Sequence, residues 1–123
     1  MIDLTENTYV LGIWSVQGVG SDWLCAVTRE GDDAFTMLYR FRYYRDDHAF
    51  DSEDEKVWYK TKIPKTQTED QIIAVVDSCA DGLCRKGYSN HEPWRRIIRG
   101  GAQAAVDALK EAPFIHIQER AVD

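Results

Sequence analysis

The chain has 123 residues, 44% of them hydrophobic and 11% aromatic, with a formal charge of −6. That length suits a single domain over residues 1–123, and that composition supports a packed core, which excludes a disordered acidic tail. The acidic balance also argues against a protein that wraps nucleic acid, because counter-charge for phosphates calls for a basic surface. No run approaches the roughly 18 apolar residues of a membrane span. The opening Met-Ile-Asp-Leu-Thr-Glu-Asn has neither a basic segment nor an apolar core, so a signal peptide is not expected and a cytoplasmic location is.

Four strands are predicted in the first half, 1–64. Residues 9–16, Tyr-Val-Leu-Gly-Ile-Trp-Ser-Val, are rich in β-branched and aromatic side chains and run into a glycine-bearing hairpin loop. Residues 23–29 form the second strand and 34–44 the third, with Glu30-Gly-Asp-Asp33 as the turn between them. An acidic loop, with six acids between Asp46 and Glu55, leads to a fourth strand at 57–63, which Pro64 ends. Short connections favour antiparallel pairing throughout. The loop does not have the register of a calcium site.

Alternation along the third strand sorts its side chains. Phe35, Met37, Tyr39, Phe41 and Tyr43 share one face, and Thr36, Leu38, Arg40, Arg42 and Tyr44 share the other. In the fourth strand Lys60 and Lys62 fall together. One sheet face is therefore expected to be aromatic and buried, and the opposite face to present Arg40, Arg42, Lys60 and Lys62. Two readings of those cations stand side by side: an ordinary solvated face, or part of a site shared with a second basic stretch further along.

The second half, 65–123, reads as a helical unit. Thr68-Glu-Asp-Gln71 has the spacing of a capping box, and Ile72, Val76, Cys79, Ala80 and Leu83 recur at three and four to give a helix that Gly87 terminates. A second helix is expected from about Ser89–Glu92, with Trp94, Ile97, Ile98, Ala105 and Leu109 on one stripe and Gly100-Gly101 as a point where it breaks or packs closely. Pro113 stops it, and Phe-Ile-His-Ile-Gln at 114–118 reads as a short last strand. The expected fold is α+β: an N-terminal four-stranded antiparallel sheet, a two-helix C-terminal unit and a short final strand.

Between Arg85 and Gln103 lie five basic residues and one acid, leaving ten basic and twenty acidic residues for the rest of the chain. Like charges held close repel unless something negative sits among them. An anionic ligand would meet that need, and so would acidic neighbours brought in by the fold. For the first case the candidate ligand-binding residues are Arg40, Arg42, Tyr88, Asn90, Trp94, Arg95, Arg96 and Arg99. The arginines would neutralise phosphate, Tyr88 or Trp94 would stack on a base, and Asn90 would read a ribose or base edge. The structural alternative for Trp94 is a core position on its stripe.

No nucleophile elbow, phosphate-binding loop, dinucleotide fingerprint or zinc spacing occurs, so neither an enzyme nor a cofactor or metal is expected. Cys25, Cys79 and Cys84 read as reduced thiols.

In layout the chain resembles the phage anti-Thoeris signal sponges, small counter-defence proteins. Phe-Thr-Met-Leu-Tyr-Arg-Phe-Arg-Tyr-Tyr at 35–44 and Asn-His-Glu-Pro-Trp-Arg-Arg-Ile-Ile-Arg-Gly-Gly at 90–101 carry that likeness. The resemblance implies a non-enzymatic oligomer that binds a cyclic ADP-ribose type signal, without cleaving it, where the sheet meets its helical appendage. A nucleotide-like small molecule is then the expected partner, and a homo-oligomer the expected assembly. The competing expectation is an acidic inhibitor that occupies a basic surface on a host defence protein, and a third is a plain subunit whose basic stretch meets the acidic loop of its neighbour.

Overall fold

A computed structural model describes residues 4–18, 21–43, 59–86 and 91–113. In chain order the elements are β1 (Thr8–Gln17), β2 (Ser21–Glu30), β3 (Thr36–Tyr43), β4 (Tyr59–Lys62), α1 (Glu69–Lys86), β5 (Trp94–Gly100) and α2 (Ala102–Lys110). The fold is α+β, as expected: all five strands form one antiparallel sheet, in the order β4-β3-β2-β1-β5. The acidic loop and the expected strand at 114–118 lie outside the described residues.

The first four strands are a meander, each pairing with its sequence neighbour. The chain then leaves the β4 edge, crosses one face of the sheet as α1, and returns as β5 on the far side of β1. Thr68 starts that helix as its spacing predicted. The Thr68 backbone N–H donates to Gln71 Oε1 at 2.9 Å, and the Gln71 N–H donates to Thr68 Oγ1 at 3.2 Å.

Residues 94–100 correct the expected second helix, which begins only at Ala102, after Gly100-Gly101. Trp94 and Ile98 are four apart, a spacing that keeps side chains on one side of a helix and equally on one face of a strand. The β-branched pair Ile97-Ile98 favours the strand. Ile97 packs with the cluster under α1, while Trp94 and Ile98 pack with the cluster under α2. Apolar residues at consecutive positions are what a strand needs when a helix lies on each side of it.

The core accordingly has two layers. On one face Leu11, Trp14, Trp23, Cys25 and Val27 pack with Ile72, Val76 and Ala80 of α1. On the other, Val10, Ile13, Leu24 and Ala26 pack with Ala105 and Leu109 of α2. β1 is in contact with both helices, so it is buried almost end to end. Each aliphatic side chain so enclosed contributes about 1.5–3 kcal/mol.

A period-two strand cannot place Val10 and Ile13 on one face and Leu11 and Trp14 on the other without an irregularity. The register of β1 shifts between Val10 and Gly12 against both of its neighbours, and that bulge resets the alternation. Gly12 is required there by space: a Cβ would stand 2.9 Å from Trp14 Cη2 and 3.1 Å from the Arg96 carbonyl oxygen. Gly12→Ala therefore forces the buried indole or the β1–β5 pairing to shift. Denaturant titration is expected to show a loss of about 1–3 kcal/mol, and an unchanged midpoint would remove the steric role of this glycine.

Candidate functional site

β5 carries three of the predicted ligand-binding arginines, and its antiparallel pairing with β1 decides which way each one points. Arg95 and Arg99 fall with Ile97 on the α1 face. Arg96 falls with Trp94 and Ile98 on the α2 face. The three guanidinium groups are thus divided between opposite sides of the sheet.

Each arginine has a carboxylate partner in the helix it faces. Arg95 Nη1 is paired with Asp77 Oδ2 of α1. Arg99 pairs through Nε with Glu69 (3.2 Å) and through Nη2 with Asp70 (2.8 Å), both in the first turn of α1. Arg96 Nη2 meets Glu111, just past the end of α2, at 2.9 Å. β5 and α1 run in opposite directions, which sets the start of the strand against Asp77 and its end against the first turn of the helix. The excess positive charge read in the sequence is therefore met by acidic neighbours within the fold.

Asp77 also accepts a hydrogen bond from the indole Nε1–H of the fully buried Trp14, at 2.8 Å to Oδ1. One carboxylate thus links β1, α1 and β5. At the other end of the helix the Tyr9 hydroxyl lies 3.4 Å from both Glu69 oxygens, while the Arg29 guanidinium stacks over the Tyr9 and Phe35 rings at 4.6 and 4.9 Å. Burial and the facing Glu69 carboxylate hold the Tyr9 phenol above its ordinary range. Arg99 itself has φ 45°, in the left-handed region that non-glycine residues seldom occupy. Its two ion pairs anchor that residue where the strand turns towards α2.

Arg40 corrects the expectation of a solvated basic face. It is only 1% exposed, whereas Lys60 and Lys62 on β4 are exposed. α2 packs on this side against β1 and β5, not against β3, so the burial of Arg40 is a tertiary feature that alternation within β3 does not reveal. In register, Arg40 stands opposite Leu24, Leu24 opposite Ser15, and Ser15 opposite Trp94. One lateral row on the α2 side therefore runs Arg40–Leu24–Ser15–Trp94. Three strand spacings of about 4.8 Å separate its ends by about 14 Å. Ser15 is fully buried, and among the described residues its Oγ has no hydrogen-bond partner. Arg42 follows Arg40 on β3, opposite Asp22, a buried acid. Of the eight predicted residues, then, Arg40 and Trp94 share a row, Arg42 neighbours it, and Arg95, Arg96 and Arg99 brace the helices. Tyr88 and Asn90 lie outside the described residues.

Sequence reasoning had no means of finding Ser15, Asp22 or Asp77. Ser15 and Asp22 sit in strand patterns, and Asp77 occupies a helix position that periodicity assigns only to a polar side. Among the described residues, no group of three or more His, Cys, Asp or Glu side chains could hold a metal ion, and no helix is long and apolar enough to cross a membrane.

Two predictions follow from this geometry. Asp77→Ala leaves the Trp14 indole N–H buried without its acceptor and is expected to cost about 1–3 kcal/mol in denaturant unfolding; a smaller effect than Gln103→Ala would contradict the linking role of Asp77. Burial holds the Cys25 thiol far above its ordinary range, with Cys79 adding to the rise, while Cys79 itself is exposed. A thiol reagent on the native protein should modify Cys79 and reach Cys25 only at the rate of unfolding. Equal rates at the two positions would contradict the packing under α1.

No known protein family, curated protein or solved structure matches the chain.

Proposed function

We propose that the protein is a non-enzymatic binder of a nucleotide-like anion and acts by sequestering it. The ligand's phosphate is held by Arg40, whose guanidinium is buried on the α2 side of the sheet, and its base by the half-buried Trp94 on the same side. The observation that carries this reading is the Arg40–Leu24–Ser15–Trp94 row. It aligns a buried guanidinium, a buried hydroxyl and an indole across about 14 Å. Arginine suits phosphate because its planar fork matches two oxygens at once, and an indole face suits a base. Sequestration asks only for affinity: nanomolar binding corresponds to about −12 kcal/mol, within reach of a few charge-assisted bonds in an enclosed site. The resemblance in layout to the anti-Thoeris sponges supports a cyclic ADP-ribose type ligand, a homo-oligomer and a phage counter-defence role in the cytoplasm of the host cell.

The carboxylate partners of Arg95, Arg96 and Arg99 favour a second reading. With those cations met inside the fold, the −6 charge of the chain is available to a basic target surface, which suits an acidic inhibitor of a host defence protein.

Native mass spectrometry on protein purified from cells with an intact nucleotide pool separates the two. The first reading predicts a phosphate-containing compound released on denaturation, near one per chain, with occupancy reduced about tenfold in a folded Trp94→Leu variant. No released compound, and no thermal shift with cyclic nucleotides or ADP-ribose derivatives, would overturn it in favour of the inhibitor.

A further inference from the structure

We infer that β5 is a gate over the buried row on the α2 side: it leaves the sheet as a unit, pivoting at Gly100-Gly101, while the two helices and the other four strands stay packed. The need for a gate rests on the ligand reading of that row. Ser15 is fully buried and Arg40 is 1% exposed, so a ligand reaches neither while the sheet is closed. The motion itself rests on how β5 is held.

Among the described residues β5 pairs only with β1, and none of its seven residues is buried. By contrast β1 is buried from Val10 to Val16, and β2 from Asp22 to Thr28. An element with few buried contacts opens locally at a lower free energy than the whole domain unfolds. Besides its ladder with β1 and the half-buried Trp94, Ile97 and Ile98, β5 is fastened by charge: Arg95 on Asp77, Arg99 on Glu69 and Asp70, and Arg96 on Glu111. The arginines are 48–49% exposed, and Asp70 and Glu111 are 89% and 64% exposed, so water and salt reach these pairs. Pairs of this kind are individually weak, and the screening length shrinks from about 10 Å at 0.1 M salt to about 3 Å at 1 M.

The two ends of β5 differ. At its far end Arg99 has φ 45°, a conformation that costs energy and persists only while its surroundings impose it. Release from Glu69 and Asp70 lets that residue relax. Gly100 and Gly101 follow, and a Cβ on Gly101 would meet nothing within 4 Å, so the backbone has room to turn there. α2 begins directly afterwards, and its buried Ala105, Ala108 and Leu109 anchor the pivot. At the near end Trp94 stands opposite Ser15. A swing about Gly100-Gly101 moves Trp94 farthest and uncovers Ser15 first. The indole assigned to the base therefore travels with the gate.

The test uses ligand-free protein. In a Ser15→Cys variant, labelling by a thiol reagent is followed position by position, with Cys25 as the internal reporter of global unfolding. Amide hydrogen exchange is followed in the parent chain. The thiol at position 15 is expected to react at least tenfold faster than Cys25, and the amides of 94–100 that pair with β1 to exchange at least tenfold faster than those joining β2 to β3. Both β5 rates should rise severalfold between 0.1 and 1 M NaCl. The gate is overturned if position 15 reacts in step with Cys25, if 94–100 exchange in step with the β2–β3 amides, or if salt leaves the rates unchanged. Neither readout involves a ligand. Protein purified without a bound nucleotide would therefore remove the ligand reading of the row, whereas a closed β5 in these measurements would remove the gate alone.

Discussion

The Asp77 carboxylate holds together elements that the chain order keeps far apart. One of its oxygens accepts from the indole of Trp14 in β1, and the other pairs with Arg95 in β5. Both interactions satisfy groups that would otherwise oppose folding: an indole N–H out of reach of water, and a cation on a strand crowded with cations. With Arg99 on Glu69 and Asp70, and Arg96 on Glu111, β5 is tied to a helix on each face. Surface ion pairs taken singly contribute little, but a set that fixes one strand against two helices also specifies where that strand belongs.

That constraint explains why β1 is the innermost element. Helices on both faces demand apolar residues on both sides of it, and the bulge between Val10 and Gly12 resets the alternation so that Val10 and Ile13 serve one layer and Leu11 and Trp14 the other. Gly12 leaves room for the Trp14 ring, whose nitrogen then reaches Asp77. A change at any one of these three positions disturbs the other two.

The meander was legible because β-branched runs and turn residues at 9–43 agree with each other. The start of α1 was legible because the Thr68–Gln71 pair is local. Residues 94–100 were misread because a spacing of four between Trp94 and Ile98 fits both periodicities, and only the unoccupied side of β1 decides between them. The alternation in β3 was read correctly, yet the burial of Arg40 depends on what packs over that face. Likewise the basic stretch was visible, but the carboxylates that answer it come from other elements, out of reach of any local pattern. The aligned row from Arg40 to Trp94 exists only through pairings across four strands.

For function, the consequence is a division of labour among the arginines. Those on β5 are committed to architecture through their ion pairs with Asp77, Glu69, Asp70 and Glu111, while Arg40 is buried on the α2 side of the sheet in one row with Ser15 and Trp94. The most direct test is a double-mutant cycle between Asp77→Ala and Arg95→Ala, read by chemical denaturation. Structural commitment of Arg95 predicts a coupling of about 0.5–1 kcal/mol between the two positions. Strictly additive effects would contradict it and return Arg95 to the pool of cations free to hold a ligand.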